Sequence, residues 1–161
     1  LPSAWISVDA SPEVDIRAAQ LADLPALNTL ETESFPSDRL SPRQMRYLLS
    51  RAKAHTLVAV HAGEVVAYAT LLLPAHPRPA RLYSIAVRAD VRGQGIAARL
   101  MTALMQIAKQ GGYSRVRLEV RASAASTQAL YRRFGFRQTR HLASYYGDGE
   151  DALRMEYRCS S

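Results

Sequence analysis

The sequence predicts an α/β chain of the α+β kind, one mixed sheet of seven strands with four helices laid on it, in the order β-α-α-β-β-β-α-β-α-β-β. Three observations carry that prediction. Short apolar runs of strand length recur on either side of a turn at Gly63 and again near the end of the chain. Ile96, Leu100, Leu104, Ile107 and Ala108 recur at helical spacing directly after a loop that holds Gly93 and Gly95. No internal repeat or linker divides the 161 residues, a length that suits one domain with a proper core.

Each element has its own signal. Residues 1–13, with Pro2, Pro12 and Trp5, read as an extended lead-in whose tryptophan docks on the body, and 14–161 read as the domain. Val14-Asp15-Ile16-Arg17 alternates as a first strand, and Asp23 to Leu30 supplies a helix that tolerates Pro25 near its start. Ser41-Pro42-Arg43-Gln44 joins a capping serine, a proline at the first helical position and a glutamine at the third, opening a second helix to about Lys53. Between the two, Glu33-Ser34-Phe35-Pro36-Ser37-Asp38 is expected to be irregular, with room to line a pocket. Thr56 to Val60 and Val65 to Leu71 flank His61-Ala62-Gly63-Glu64 as a hairpin. Pro74, Pro77 and Pro79 break the chain before a strand at Leu82 to Val87. The glycine loop and long helix follow, up to the stop at Gly111-Gly112. Arg115 to Val120 is the next strand, and Thr127 to Phe134 a helix closed by Gly135. Phe136 to Ala143 and Leu153 to Tyr157 form the last pair of strands around Tyr145-Tyr146-Gly147-Asp148-Gly149-Glu150-Asp151.

Composition bounds the function. Hydrophobic residues make up 48% of the chain and charged residues 22%, the balance of a folded soluble protein rather than a disordered one. The formal charge is +7, and all but Lys53 and Lys109 of the 21 bases are arginine. That excess suits a phosphate-rich ligand or an acidic partner, and a solvated basic surface explains it equally well. Without a basic helix or a patch interleaved with aromatics, direct nucleic-acid binding is not expected. Cys159 is the single cysteine, so no disulfide framework is expected and a reducing, cytoplasmic compartment is favoured. His55, His61, His76 and His141 are scattered without ligand spacing, and no metal site is expected. No apolar run reaches the length of a membrane span, and Leu1 to Pro12 lacks the basic start and apolar core of a secretion signal.

The chemistry gathers at Val91-Arg92-Gly93-Gln94-Gly95-Ile96-Ala97-Ala98. A helix start leaves backbone N–H groups unpaired and carries a partial positive charge, and glycines let a ligand's phosphates come close to those donors. The stretch therefore reads as an anion seat, with a glycine turn that only starts a helix as the simpler alternative. Gly93-x-Gly95-x-x-Ala98 also fits the loose dinucleotide fingerprint, and Glu119 lies about where a ribose-binding acid is expected, which keeps a nicotinamide enzyme as a competitor. Against it, the charged Arg88-Ala89-Asp90-Val91-Arg92 separates strand from turn, and the chain after Glu119 is too short and turn-rich for a second nucleotide-binding half. A phosphate-cleaving loop is excluded, because no Gly-Lys-Ser/Thr follows the glycines.

Four stretches then stand in order: Ser84-Ile85-Ala86-Val87, Arg92-Gly93-Gln94-Gly95-Ile96-Ala97, Leu118-Glu119-Val120-Arg121-Ala122-Ser123 and Ala129-Leu130-Tyr131-Arg132-Arg133-Phe134-Gly135-Phe136. In them the chain resembles the GNAT acetyltransferases and, among these, the RimI-like ribosomal-protein N-terminal alanine acetyltransferases. The likeness runs from about residue 14 to 158 and is densest from Leu82 to Tyr157. The family loop, Gln/Arg-x-x-Gly-x-Gly/Ala, is filled by Arg92, Gly95 and Ala97. The resemblance implies the GNAT fold, a central mixed and mostly antiparallel seven-stranded sheet with a splayed strand pair, flanked by about four helices.

It also implies acetyl-CoA as acetyl donor, with no metal. Arg92, Gly93, Gln94, Gly95, Ile96, Ala97 and Ala98 would wrap its pyrophosphate, and backbone groups of Ile85, Ala86 and Val87 would face the pantetheine and the thioester carbonyl, where a backbone N–H stabilises the developing oxyanion. Glu119 occupies the family's base position and Tyr131 that of its acidic tyrosine. Phe35, Pro36, Tyr145 and Tyr146 correspond to the substrate-side loops. Simpler readings stand beside these: Glu119 as a carboxylate among Arg115, Arg117 and Arg121 on a wet strand face, Tyr131 as a core aromatic sharing a face with Phe134, and the two tyrosines as hairpin aromatics. Family members usually carry asparagine after the position of Ser123; here Ala124 stands, losing a cofactor contact worth on the order of 1 kcal/mol, with Ser126 or Thr127 as candidates to replace it. Ser37-Asp38-Arg39-Leu40 also lacks the tryptophan common after the Phe-Pro pair. The expected acceptor is a protein or peptide N-terminus, ribosomal proteins included, for a monomer or homodimer. A small amine, amino acid or antibiotic is the alternative acceptor, and a non-catalytic acyl-CoA sensor the alternative class.

Overall fold

The computed structural model describes residues 13–50 and 53–159. The lead-in at 1–12 with its Trp5, and the expected passage of the second helix through 51–52, lie outside the described residues. Seven strands form one sheet: β1 (Asp15–Ala18), β2 (Ala54–His61), β3 (Glu64–Leu72), β4 (Ala80–Val87), β5 (Arg115–Arg121), β6 (Arg137–Leu142) and β7 (Ala152–Arg158), in the order β1-β2-β3-β4-β5-β7-β6. The helices are α1 (Leu24–Ser34), α2 (Pro42–Ser50), α3 (Ile96–Gln110) and α4 (Ala125–Phe134), with 3-10 turns at Leu21–Asp23 and Ala89–Val91. The sheet is mixed: β1/β2, β5/β7 and β6/β7 are antiparallel and β4/β5 is parallel. No described helix is long and apolar enough to cross a membrane.

The chain packs as two units, one formed by residues up to Thr70 with Ser84–Leu104, the other by Leu71–Tyr83 with Met105 onward. The core of the first is Leu27 and Leu30 of α1, Met45 of α2, Val58 of β2, Tyr68 of β3 and Ala86 of β4. Fully burying a side chain such as Leu27 contributes about 1.5–3 kcal/mol. The capping box that opens α2 is formed as its sequence predicts: Gln44 N–H donates to Ser41 Oγ at 3.1 Å and Ser41 N–H to Gln44 Oε1 at 2.8 Å. Ala62 and Gly63, with φ of 51° and 78°, close the β2/β3 hairpin in the left-handed region that a two-residue turn requires.

Two boundaries differ from expectation for a physical reason. Asp23 stands at the N-cap of α1 without a side-chain cap bond, and the helix itself starts at Leu24; the Asp23 carboxylate instead receives Gln20 N–H at 2.7 Å and a two-pronged contact from Arg17, which forms the 3-10 turn ahead of the helix. At the other end α1 continues through Glu33 and Ser34, so the irregular segment starts at Phe35, whose N–H still bonds Glu31 O at 2.9 Å.

In the second unit β5 alternates cleanly. Val116, Leu118 and Val120 are buried, while Arg115, Arg117, Glu119 and Arg121 line the other face. β7 pairs with β5 along its whole length, from Arg115↔Arg158 to Arg121↔Ala152. Tyr131, Phe134, Phe136 and Tyr157 pack as an aromatic group with ring centroids 5.5–6.3 Å apart. The parallel ladder with β4 joins Ala80 to Val116 and Arg81 to Arg117, at the starts of both strands. Beyond Arg81, β4 has no β5 partner in this register.

Candidate active site

At the glycine loop, Gly93 and Gly95 take φ of 77° and 84°, a conformation that side chains resist and glycine accepts. A Cβ on Gly93 would meet no atom within 4 Å, so the space over the loop is open. α3 begins at Ile96, and the first helical bond of this turn is donated by Arg99 N–H to Gly95 O. Among the described residues, the N–H groups of Gly93 through Ala98 therefore have no protein acceptor. A run of orphan donors at the N-terminus of a fifteen-residue helix is what a diphosphate would satisfy. Arg92 is exposed, and its Nε donates to Val87 O at 2.8 Å. That bond ties the loop to the end of β4 and occupies the Val87 carbonyl. Ile85 and Val87 are half-buried, and Ala86 between them packs into the core on the opposite face.

Glu119 is not on a wet face. Its side chain is 4% exposed, with Arg81 Nη2 2.8 Å from Oε1 and Arg154 Nε 2.9 Å from Oε2. The arginines of its own strand go elsewhere: Arg115 and Arg117 to Glu156 across on β7, and Arg121 to Asp148 and Glu150. Glu119 faces Arg154 because the β5/β7 register places them opposite each other. As a whole residue Glu119 is half-buried while its side chain is not open, so its main chain is the accessible part.

Tyr131 lies in α4, 7% exposed, tilted against Phe136, and no side-chain hydrogen bond is formed by its hydroxyl among the described residues. Burial, with Tyr146 nearby, pushes its pKa up to about 12, so at neutral pH the phenol keeps its proton. Tyr145 is 42% exposed and accepts from Arg81 Nη2 at 3.2 Å; Tyr146 meets it edge-on, with Arg121 4.2 Å over the Tyr146 ring. The loop carrying both is held by its own acids. Asp148 Oδ1 receives Glu150 N–H, Glu150 Oε2 receives Ser123 N–H, and Asp151 receives Ser144 N–H and His141. These bonds lower the pKa of all three carboxyls, through Glu150 N–H first for Asp148, Ser123 for Glu150 and His141 for Asp151. The structure thus joins two predicted residues through one that the sequence did not flag, Tyr145 to Arg81 to Glu119, and brings a second predicted pair together, Tyr146 with Tyr131.

Other expected contacts fall differently. Phe35 packs against the core of the first unit, and Pro36 is exposed, its carbonyl taken by Arg39 Nη1 at 3.3 Å. Ser126 is exposed in the first turn of α4. Ala124 stands at the N-cap of that helix without a side-chain bond; buried Gln128 instead donates to Arg121 O and Ala122 O, both at 2.9 Å. Among the described residues no cluster of His, Cys, Asp or Glu could hold a metal ion.

Residues 22–136 match the model of the acetyltransferase (GNAT) family. The chain belongs to the GNAT family. A Bacillus subtilis protein, provisionally named a ribosomal protein bS18-alanine N-acetyltransferase, is 30% identical over 141 residues, 87% of this chain and 92% of its own length. An N-alpha-acetyltransferase of Sulfurisphaera tokodaii is 31% identical over 154 residues, 89% of this chain and 92% of its own. The crystal structure of the ribosomal-protein-S18-alanine N-acetyltransferase from Escherichia coli superposes with a TM-score of 0.82 at 28% identity, covering 92% of this chain and 96% of that one. As a GNAT member, the protein is an acetyl-CoA-dependent acetyltransferase, and the donors orphaned at the start of α3 fit the diphosphate of that co-substrate.

Two groupings in this GNAT chain escape a reading of the sequence. Arg81 and Arg154 clamp Glu119, and of the two only Arg154 carries a signal, a one-residue alternation opposite β5 that shows once the register is known. The other is buried. Glu31 of α1, 2% exposed, receives the Tyr68 hydroxyl on Oε1 and Leu40 N–H on Oε2 at 2.8 Å, and Tyr68 accepts in turn from Ser84 Oγ at 2.7 Å. Ser84 directly precedes Ile85 on β4.

Proposed function

We propose that this protein transfers the acetyl group of acetyl-CoA directly to a primary amine, the α-amine of a protein or peptide N-terminus, through a ternary complex. One observation carries the reading: the continuous link from the exposed Tyr145 hydroxyl through Arg81 to the buried Glu119 carboxylate, which connects a surface that meets an acceptor with a group that takes a proton. The names of the relatives from Bacillus subtilis and Sulfurisphaera tokodaii support an N-terminal amine as the acceptor, a ribosomal protein among the candidates.

The bound co-substrate supplies an activated acetyl carbon, a thiolate leaving group and a diphosphate for the amides of residues 93–98. The chain's own groups do the rest. Glu119, reached directly or through one water, accepts the proton that the amine loses as its nitrogen bonds the acetyl carbon. A β4 main-chain N–H near Ile85 to Val87, past the end of the β4/β5 ladder, stabilises the oxyanion before the C–S bond breaks. Tyr131 is in this reading the hydrogen-bond donor for the leaving thiolate. With its pKa near 12 against about 8.5 for a thiol, full transfer of its proton would run uphill by about 5 kcal/mol, so its contribution is the hydrogen bond and the proton stays on oxygen.

The test follows thiol release from acetyl-CoA with peptides beginning Ala, Ser or Met, beside free amines. Peptide turnover above that of free amines is the expected result. Preference for free amines moves the acceptor to the small-molecule class, and silence with every acceptor despite CoA binding leaves a sensor. Glu119→Gln slows transfer more at neutral than at alkaline pH, because the amine sheds its own proton at high pH. Equal slowing at both pH values removes Glu119 from the base role.

A further inference from the structure

The charges around Glu119 do not balance. Two guanidiniums meet one carboxylate, and among the described residues neither Arg81 nor Arg154 pairs with a second acid. The two arginines are engaged differently. Arg154 is 21% exposed and makes a well-formed hydrogen bond to Oε2. Arg81 is 39% exposed and lies within ion-pair distance of Oε1, but its approach lacks the direction of a hydrogen bond: Oε1 has no donor, and the buried Arg81 Nε has no acceptor. Its remaining contacts are neutral, the Tyr145 hydroxyl at 3.2 Å and the Tyr83 ring at 5.4 Å. Tyr83 and Tyr145 are themselves exposed, at 38% and 42%, so Arg81 contacts two aromatic side chains that are open to solvent.

An arginine with unused donors, an excess positive charge and a loosely held carboxylate is matched to an incoming anion of carboxylate geometry. We infer that Arg81 binds a carboxylate carried by the acetyl acceptor close to its reacting amine. Two acceptors present that group, a free amino acid through its α-carboxylate and a polypeptide whose first residue is Asp or Glu through its side chain. Binding there draws Arg81 away from Glu119 Oε1 and leaves that oxygen, still oriented by Arg154 through Oε2, to accept the amine's proton. Arg81 is in this sense a specificity residue that also times the exposure of the base. The inference rests on acetyl transfer with Glu119 as base and narrows its acceptor.

Matched acceptor pairs test it. Thiol release is followed with a peptide beginning Asp and its Asn counterpart, and with alanine and alaninamide, for the native chain, Arg81→Gln and Arg81→Lys. The carboxylate member of at least one pair is expected to show a kcat/KM tenfold or more above its neutral partner. Arg81→Gln brings that ratio close to one, and Arg81→Lys keeps part of it, which a merely structural loss would not do. Preference within the peptide pair assigns the acidic N-terminus, and preference within the alanine pair the free amino acid. Ratios near one in both pairs, or a ratio that survives Arg81→Gln, overturn the inference and leave the transfer reading standing. If no acceptor releases thiol, the transfer reading falls instead. Ligand-observed NMR with the same pairs then decides the Arg81 site alone: selective binding of a carboxylate member that Arg81→Gln abolishes upholds it, and equal binding of both members overturns it.

Discussion

Tyr68→Phe isolates the polar chain under α1. The ring is fully buried and phenylalanine fills the same space, so no cavity opens and only the hydroxyl is lost. Glu31, 2% exposed, keeps Leu40 N–H on Oε2 but loses the donor on Oε1, while the partly exposed Ser84 recruits water. Leaving a buried acceptor without its donor costs about 1–3 kcal/mol. For a chain of this length each kcal/mol lowers Tm by about 2–4 °C, which places the drop at about 2–12 °C. Thermal and urea unfolding of the two proteins measure it, with an unchanged m-value showing that the transition remains comparable. Adding Glu31→Gln to Tyr68→Phe should destabilise by less than the sum of the single changes, because the first change has already removed the bond that the second alters; the coupling expected is about 1 kcal/mol or more. A Tm within 1 °C of the native value, or strict additivity, would refute the reasoning.

Two further outcomes bear on the site. Gly93→Ala meets no steric neighbour, so its penalty is the left-handed backbone alone, about 1–2 kcal/mol, and relief of that strain turns the loop amides away from the diphosphate. Calorimetry should find acetyl-CoA binding weakened about five- to thirtyfold, and an unchanged Kd would take the loop out of the binding role. In alkaline difference spectra, the native chain minus Tyr131→Phe should show one phenol titrating near 12. The folded pKa lies above the unfolded value of about 10, so the stability from this neutral buried phenol is complete below pH 10 and disappears as pH rises from 10 towards 12. A difference spectrum centred near 10 would contradict the burial of that hydroxyl.

Every strand and helix predicted from the sequence is present, because each rests on a local signal: the alternation of Val116, Leu118 and Val120, the Ser41–Gln44 box, the pair of left-handed residues at Ala62 and Gly63. Boundaries slipped where a side chain outweighs propensity, as at Asp23, whose carboxylate is drawn to Arg17 and Gln20, so that the helix expected from Asp23 starts one residue later at Leu24. The glycine loop was legible for the same local reason, since two left-handed residues before a helix leave its first amides bare. The surroundings of Glu119 were not legible. Counting arginines along β5 nominates Arg117 and Arg121 as its partners, whereas the partners are Arg154, fixed by register, and Arg81, whose strand joins β5 only through two residue pairs. Glu31, Tyr68 and Ser84 come from a helix and two strands distant in sequence, and no spacing rule connects them.

Among 143–151 the anchoring and the display are separate tasks. Asp148, Glu150 and Asp151 clasp the backbone, Arg121 and Ser123, and they hold their shape without help from the Tyr145 ring. A change at Tyr145 therefore removes the hydroxyl that meets Arg81 while the clasp keeps its form. On the proposed function, acceptor preference is open to redirection at a position whose replacement leaves the frame beneath it intact.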